Sequence, residues 1–218
     1  MEKMRLKKIA VLWCATIAIS CTSDDITGSG TMTTESRELN AFTAVSVKGT
    51  TNVNITQGDS QSVEITADSN VIDYLRTEVE DGSLYIYLAS GHHYENITVH
   101  VEVMVKGLNG VTNEGSGILK ILDVENPDFH IKNIGTSDIS FSGSSKTLSI
   151  ENEGSGRISG YTFLTESCSI HIMGSGDVEV NCSNELQAEI DGSGNVFYKG
   201  NPTISTVIEG SGKVINNN

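Results

Sequence analysis

The sequence predicts an all-β chain, a β-solenoid of short 18–20-residue rungs with a less regular amino-terminal half. Gly-Ser-Gly recurs at Gly115-Ser116-Gly117, Gly154-Ser155-Gly156, Gly174-Ser175-Gly176, Gly192-Ser193-Gly194 and Gly210-Ser211-Gly212, with Gly135-Thr136-Ser137 as a degenerate member. The first glycines stand 20, 19, 20, 18 and 18 residues apart, and a fixed period near 20 marks stacked repeats rather than a catalytic loop. On both sides of a corner, apolar and polar residues alternate, as in Ser169-Ile170-His171-Ile172 and Asp177-Val178-Glu179-Val180. That alternation is the period of a strand.

Each repeat therefore reads as strand, corner, strand. One rung cannot bury its apolar face alone; stacked rungs about 4.8 Å apart bury a continuous column and pair their backbone groups. Matching parity places Ile170, Ile172, Val178, Val180, Ile190, Val196, Ile208 and Val214 in that column. The glycines are expected to supply a positive φ or a bulge at each corner.

Ahead of the rungs, Lys3, Arg5, Lys7 and Lys8 precede an apolar run from Ile9 to Ile19 that is too short to span a bilayer, the pattern of a cleaved signal over residues 1–20. Ala18-Ile19-Ser20-Cys21 resembles the lipobox of bacterial lipoproteins, which makes Cys21 the lipidation site and the first residue of the mature chain. Thr22 after the cysteine resembles release to the outer membrane, and Ser23-Asp24-Asp25 resembles an acidic tag for its outer face. The expected address is thus the outer membrane, lipid-anchored and exposed at the cell surface, with the membrane as one partner. Residues 21–37 are read as a lipidated tether because their Ser, Thr, Asp and Gly content cannot offset the cost of ordering. The solenoid is assigned to 38–218.

The chain has 14 basic and 28 acidic residues. Residues 1–20 hold four basic and one acidic side chain, so the mature chain carries 10 against 27, a net charge of −17. A body this acidic excludes nucleic acid as a partner, since phosphate binding needs a basic surface.

Within 42–105 the corner signature is lost but strands remain legible. Phe42 to Val47 and Asn52 to Thr56 read as a worn rung turning at Gly49, and Ser62 to Thr66 as a further strand. Asn70 to Leu75 carries the one helical signal, a single turn behind an Asn cap. Asp81-Gly82 between Thr77–Glu80 and Leu84–Leu88 is a hairpin signal. A loop over Ala89–Glu95 leads to a nine-residue alternating strand from Ile97, and regular rungs begin at Leu108. Asn216-Asn217-Asn218 is polar enough to discourage a further strand from adding. Cys168 and Cys182 share the inward parity; an envelope location permits a disulfide, while two buried thiols packing as small apolar residues is the simpler reading.

The acidic-Gly-Ser-Gly corners at Glu153–Gly156, Asp191–Gly194 and Glu209–Gly212, together with Asp81-Gly82-Ser83-Leu84 in the worn half, resemble the head GIN domain of auto-transporter adhesins over roughly residues 38–215. The resemblance implies a right-handed parallel β-helix and a lipid-anchored or secreted envelope protein.

Catalytic, metal and cofactor sites are not expected. The five corner serines are equivalent and lack a neighbouring base, unlike an activated nucleophile. Asp191 and Glu209 would stack on adjacent rungs, where calcium could bridge them, but Ile134 and Met173 interrupt the acidic column and solvated carboxylates are the simpler reading. The candidate binding patch is Tyr85, Tyr87, His92, His93, Tyr94 and His100, aromatics with polar tips of the kind found where partners dock. The function expected is a non-catalytic adhesion, binding or scaffold module for an extracellular protein or glycan. A carbohydrate-active β-helix enzyme, lyase-like or hydrolase-like, is the alternative.

Overall fold

The computed structural model describes residues 24–218; the predicted signal and Cys21 lie outside the described residues. In chain order the strands are β1 (Asp24–Thr27), β2 (Met32–Arg37), β3 (Ala44–Gly49), β4 (Asn52–Gln57), β5 (Ser62–Asp68), β6 (Leu75–Glu80), β7 (Ser83–Leu88), β8 (His92–Glu95) and β9 (Val99–Val105). The regular half follows as β10 (Gly110–Gly115), β11 (Ile118–Asn133), β12 (Asp138–Asn152), β13 (Ile158–Ile172), β14 (Val178–Ile190), β15 (Val196–Lys199), β16 (Thr203–Ile208) and β17 (Val214–Asn216). The architecture is all-β, and fifteen of the strands form one mixed sheet.

In the regular half every ladder is parallel and its register equals the sequence period. Asn133 pairs with Asn152, Asn152 with Ile172, Ile172 with Ile190 and Ile190 with Ile208. The long strands bend through register shifts at Ile121/Val124, Ser140/Gly143 and Gly160/Leu164. In the worn half, stack order departs from chain order. β10 lies on β3 and β11 on β4, both with an offset of 66 residues, whereas β7 and β9 lie on the far sides of β3 and β4. The chain thus builds a middle rung, leaves it to make the end rung, and returns to the other side. Antiparallel β6 covers β7, antiparallel β5 covers β9, and β2 covers β5. This cap ends the parallel stack with antiparallel pairings, β6 at one edge and β2, beyond β5, at the other.

Two expectations about the amino-terminal half change. Residues 24–37, read as tether, contain β1 and β2; β1 pairs in parallel with β8, which occupies part of the segment read as a loop. The predicted helical turn is a single 3-10 turn, Ile72–Tyr74, but Asn70 does not cap it. Asn70 instead accepts from Ser29 N (2.9 Å) and donates to the Thr27 carbonyl (2.9 Å), fastening β1. The hairpin at Asp81-Gly82 forms as expected, with φ of 49° and 76°, the left-handed values its turn needs.

The corners also work differently from the expectation. None of the corner glycines from Gly115 onward takes a positive φ; Gly49, in the worn corner, does, at 80°. What requires glycine is close approach. A Cβ built on Gly135, Gly154, Gly174, Gly192 or Gly210 would stand 1.8–2.0 Å from the carbonyl oxygen of the glycine one rung below. That oxygen accepts from the backbone of the middle corner residue above it: Ser175 N to Gly154 O at 3.2 Å, Ser193 N to Gly174 O at 3.0 Å, Ser211 N to Gly192 O at 3.0 Å. The motif is a ladder of backbone hydrogen bonds too tight for a side chain.

Inside the stack, Ile170, Ile172, Val178, Val180, Ile190 and Val196 are buried as expected. Ile208 and Val214 are not fully buried, since they lie on the last strands and no further rung covers them among the described residues. Phe129, Phe141 and Phe163 fill the wider part, with ring centroids 5.1–5.7 Å apart around Phe163. A buried polar column was not anticipated. Asn113 Nδ2 donates to Asn133 Oδ1 (2.7 Å), Asn133 Nδ2 to Asn152 Oδ1 (3.0 Å), and Asn152 Nδ2 to the Gly176 carbonyl (3.0 Å). Each side-chain amide is thereby satisfied by the rung next to it, as a buried amide must be. Cys168 and Cys182 are free thiols, both buried, and burial pushes both thiols above their ordinary pKa.

Candidate functional site

The bends set a concavity into one side of the stack. Where β11, β12, β13 and β14 turn, a groove of about 750 Å³ crosses the rungs. Along it, Glu125, Ser144, Leu164 and Asn181 occupy successive rungs at one register position, and Asn126, Ser145, Thr165 and Cys182 the next. Ser145 Oγ and Thr165 Oγ1 stand 3.3 Å apart, and Ser183 Oγ donates to the Thr165 carbonyl at 3.4 Å. Leu164 is 58% exposed in the middle of this polar lining. Lys146, Glu125 and Glu166 supply the charges, and no ion pair within 4 Å joins Lys146 to either carboxylate among the described residues. Hydroxyls and amides at rung spacing around the apolar side chains of Leu164 and Pro127 can hold an elongated polar ligand by several separate hydrogen bonds.

Of these residues, sequence reasoning singled out Cys182 alone, as an inward-facing thiol, and none that lines the groove. The signal available to it was the break in alternation at corresponding places of successive rungs, Leu122-Asp123 and Ser142-Gly143, where Asp123 and Gly143 have φ of 58° and 128°.

The six residues of the predicted patch fall in three places. Tyr85 lines a shallow hollow with His130 and Lys132. His92 and Tyr94 pack edge-to-face with each other and with Tyr74, at centroid distances of 4.9–6.2 Å, and with His93 they line a second hollow. His100 stands 2.6 Å from Glu102 on a different strand pair. Tyr87 donates to Glu78 at 2.9 Å; that bond to a carboxylate raises the phenol pKa, while burial raises that of Tyr94.

The outer face of the long strands carries a ladder of charge. Lys132 lies 2.8 Å from both Glu151 and Glu153, which raises the lysine pKa and holds Glu151 below its ordinary value. His171 lies 3.0 Å from Asp191, and with Glu189 their ligand atoms fall within 4.8 Å of one another. His171 is thereby paired with the corner carboxylate Asp191. Corner serines 175, 193 and 211 take part through their backbone.

Solved structures share this fold. A putative adhesin from Bacteroides fragilis is 20% identical with a TM-score of 0.72, covering 88% of this chain and 100% of its own. A putative lipid binding protein from Parabacteroides distasonis is 24% identical with a TM-score of 0.60, covering 89% and 100%. A putative adhesin from the same organism is 20% identical with a TM-score of 0.51, covering 89% and 100%. No curated protein matches the chain. Residues 41–202, most of the chain, match the family described as "Putative auto-transporter adhesin, head GIN domain", and the chain belongs to that family.

Proposed function

We propose that this protein is a lipid-anchored envelope module at the outer face of the outer membrane, whose rigid stack presents the groove across β11–β14 to an elongated polar ligand. It binds without turning its ligand over. The observation that carries this reading is the groove itself: Ser144, Ser145, Thr165, Asn126 and Asn181 at rung spacing around the exposed Leu164. Family membership and the adhesin titles of its structural relatives agree with adhesion or binding. The basic run, apolar stretch and Cys21 supply the address, with 1–20 as a removed signal and the body held by the acyl group. For the stack as a whole we take the hand of a right-handed parallel β-helix, the hand that twisted strands impose on nearly all parallel crossovers.

One observation favours the alternative, a carbohydrate-active enzyme: Glu125, Glu166 and Lys146 share the groove. Glu125 and Glu166 stand on β11 and β13, two rungs apart, so their backbones are separated by about 10 Å. The test is to screen the soluble body, residues 24–218, against glycans and matrix proteins, scoring retention and product release together. Retention without product supports the binding module. Product release that is lost in Glu166→Gln establishes the enzyme and overturns the proposal.

A further inference from the structure

The body begins earlier than its composition suggests, and this fixes how it meets the membrane. β1 starts at Asp24 and pairs with β8 from Asp24↔His92 to Thr27↔Glu95. The turn after it is clamped: Asp68, 2% exposed, accepts from Gly30 N and Thr98 N, each at 2.7 Å. Asn70 and the bond from Ser69 N to the Thr31 carbonyl close the same turn. Only Thr22 and Ser23 separate Cys21 from β1. Three peptide units reach at most about 11 Å when fully extended. A flexible tether over 21–37 would instead have allowed an r.m.s. span of about 20–25 Å.

The strand to which this short link leads is at one extreme of the stack. β2 and β6 are the edge strands of the capped end, and β1, paired with β8 in a separate two-stranded sheet, is tied to that end by Asp68, Asn70 and the short turn into β2. From β7 to β17 the path runs through eight strand spacings, about 38 Å at 4.8 Å each.

Resting on the proposed acylation of Cys21, we infer that the capped end is seated directly on the lipid headgroups, with Tyr74, His92 and Tyr94 beside the anchor and the β16–β17 end held away from the bilayer. The lipid surface is the occupant because the acyl chains can stand no farther from β1 than the link allows. Edge-to-face tyrosines with polar tips suit the headgroup level, where such rings concentrate. The rim around them is mostly polar: Thr34, Ser36 and Arg76 are exposed with a single apolar side chain, Met32, beside them on β2, so the end rests on the surface rather than inserting. In this pose the groove on β11–β14 faces sideways, above the membrane and open to solvent.

The test uses the full lipidated chain in phosphatidylethanolamine–phosphatidylglycerol vesicles carrying an acceptor dye on the headgroups. A donor dye is attached to Ser90→Cys, exposed beside β8, or to Ser205→Cys, exposed on β16; Cys168 and Cys182 are buried and stay unlabelled. Transfer from position 90 is expected to exceed transfer from position 205 several-fold. A twenty-residue Gly/Ser insertion between Ser23 and Asp24 should erase most of that difference while the protein still co-sediments. Equal transfer from the two positions in the uninserted, co-sedimenting chain would overturn the seating alone, as would an insertion that changes nothing. Failure of the chain to co-sediment would overturn the anchor reading and the seating with it.

Discussion

Replacing Gly154 by Ala puts one methyl group into the tightest part of the corner ladder. The new Cβ would lie 1.8 Å from the Gly135 carbonyl oxygen, where real Cβ atoms keep at least 3.0 Å, so the two corners must part by at least 1.2 Å. Both obstacles nearest to it are backbone, and the movement stretches the bonds from Glu153 N (2.8 Å) and Gly154 N (3.1 Å) to the Asn133 carbonyl. Overpacking costs about 1–3 kcal/mol and two weakened backbone bonds about 1 kcal/mol each, a total of about 3–5 kcal/mol. For a body of this size that corresponds to a fall in Tm of about 10 °C. Gly49→Ala meets open space but keeps φ at 80°, costing about 1–2 kcal/mol. Ser155→Ala, exposed and without a side-chain hydrogen bond among the described residues, should stay within about 0.5 kcal/mol. Urea unfolding of the soluble body, followed by far-UV circular dichroism, gives the order. If Gly49→Ala costs more than Gly154→Ala, the corners need glycine for its φ and the close-approach argument is wrong; if Ser155→Ala costs most, a hydroxyl ladder holds them.

Further outcomes follow from the core and the charge ladder. Ile172→Ala, at a fully buried position, should cost about 2–4 kcal/mol through lost burial and a residual cavity, read from the same unfolding curves. Asn133→Ala should cost about 1–3 kcal/mol, because it leaves Asn152 Oδ1 buried without a partner and Asn113 Nδ2 with only its longer bond to the Gly115 carbonyl; restoration by Asn133→Gln would argue against the close register. Lys132→Met should raise the Glu151 pKa toward its ordinary value of 4.5 in an NMR titration. Because the folded pKa of Glu151 is lowered, the pair stabilises above the unfolded value and that contribution is lost as pH falls through the folded one; the variant should therefore lose less stability on acidification than the parent. Cys168, its thiol raised by burial, should resist alkylation in the folded protein and react on unfolding, as mass spectrometry would show.

The regular half was legible because one period governs it: six of eight core residues followed from alternation and glycine spacing alone. The two exceptions, Ile208 and Val214, have the right parity but no rung above them, and parity does not say where a stack ends. The reason for glycine was not legible. Glycine spacing cannot distinguish a positive φ from a close approach between rungs, which depends on register in three dimensions. Asn113, Asn133 and Asn152 stand two residues before corner glycines at inward parity, yet a search for apolar residues passes over a polar column that satisfies itself. β1 and β2 were hidden for a similar reason, since Asp68 and Asn70, some forty residues away, hold a segment whose own composition reads as unstructured. The groove depends on bulges aligned across four rungs, a feature of the stack that no single repeat shows.

Binding at the groove is tested most directly by pairing Leu164→Glu with Tyr85→Ala in the soluble body and measuring retention on whichever glycan or matrix protein the screen identifies. Leu164 is exposed between Ser144 and Asn181, so a carboxylate there alters the groove without disturbing the core. Loss of retention in Leu164→Glu, with Tyr85→Ala unchanged and both variants unfolding like the parent, is the predicted result. Undiminished retention in Leu164→Glu would contradict the account and move the binding surface off the groove.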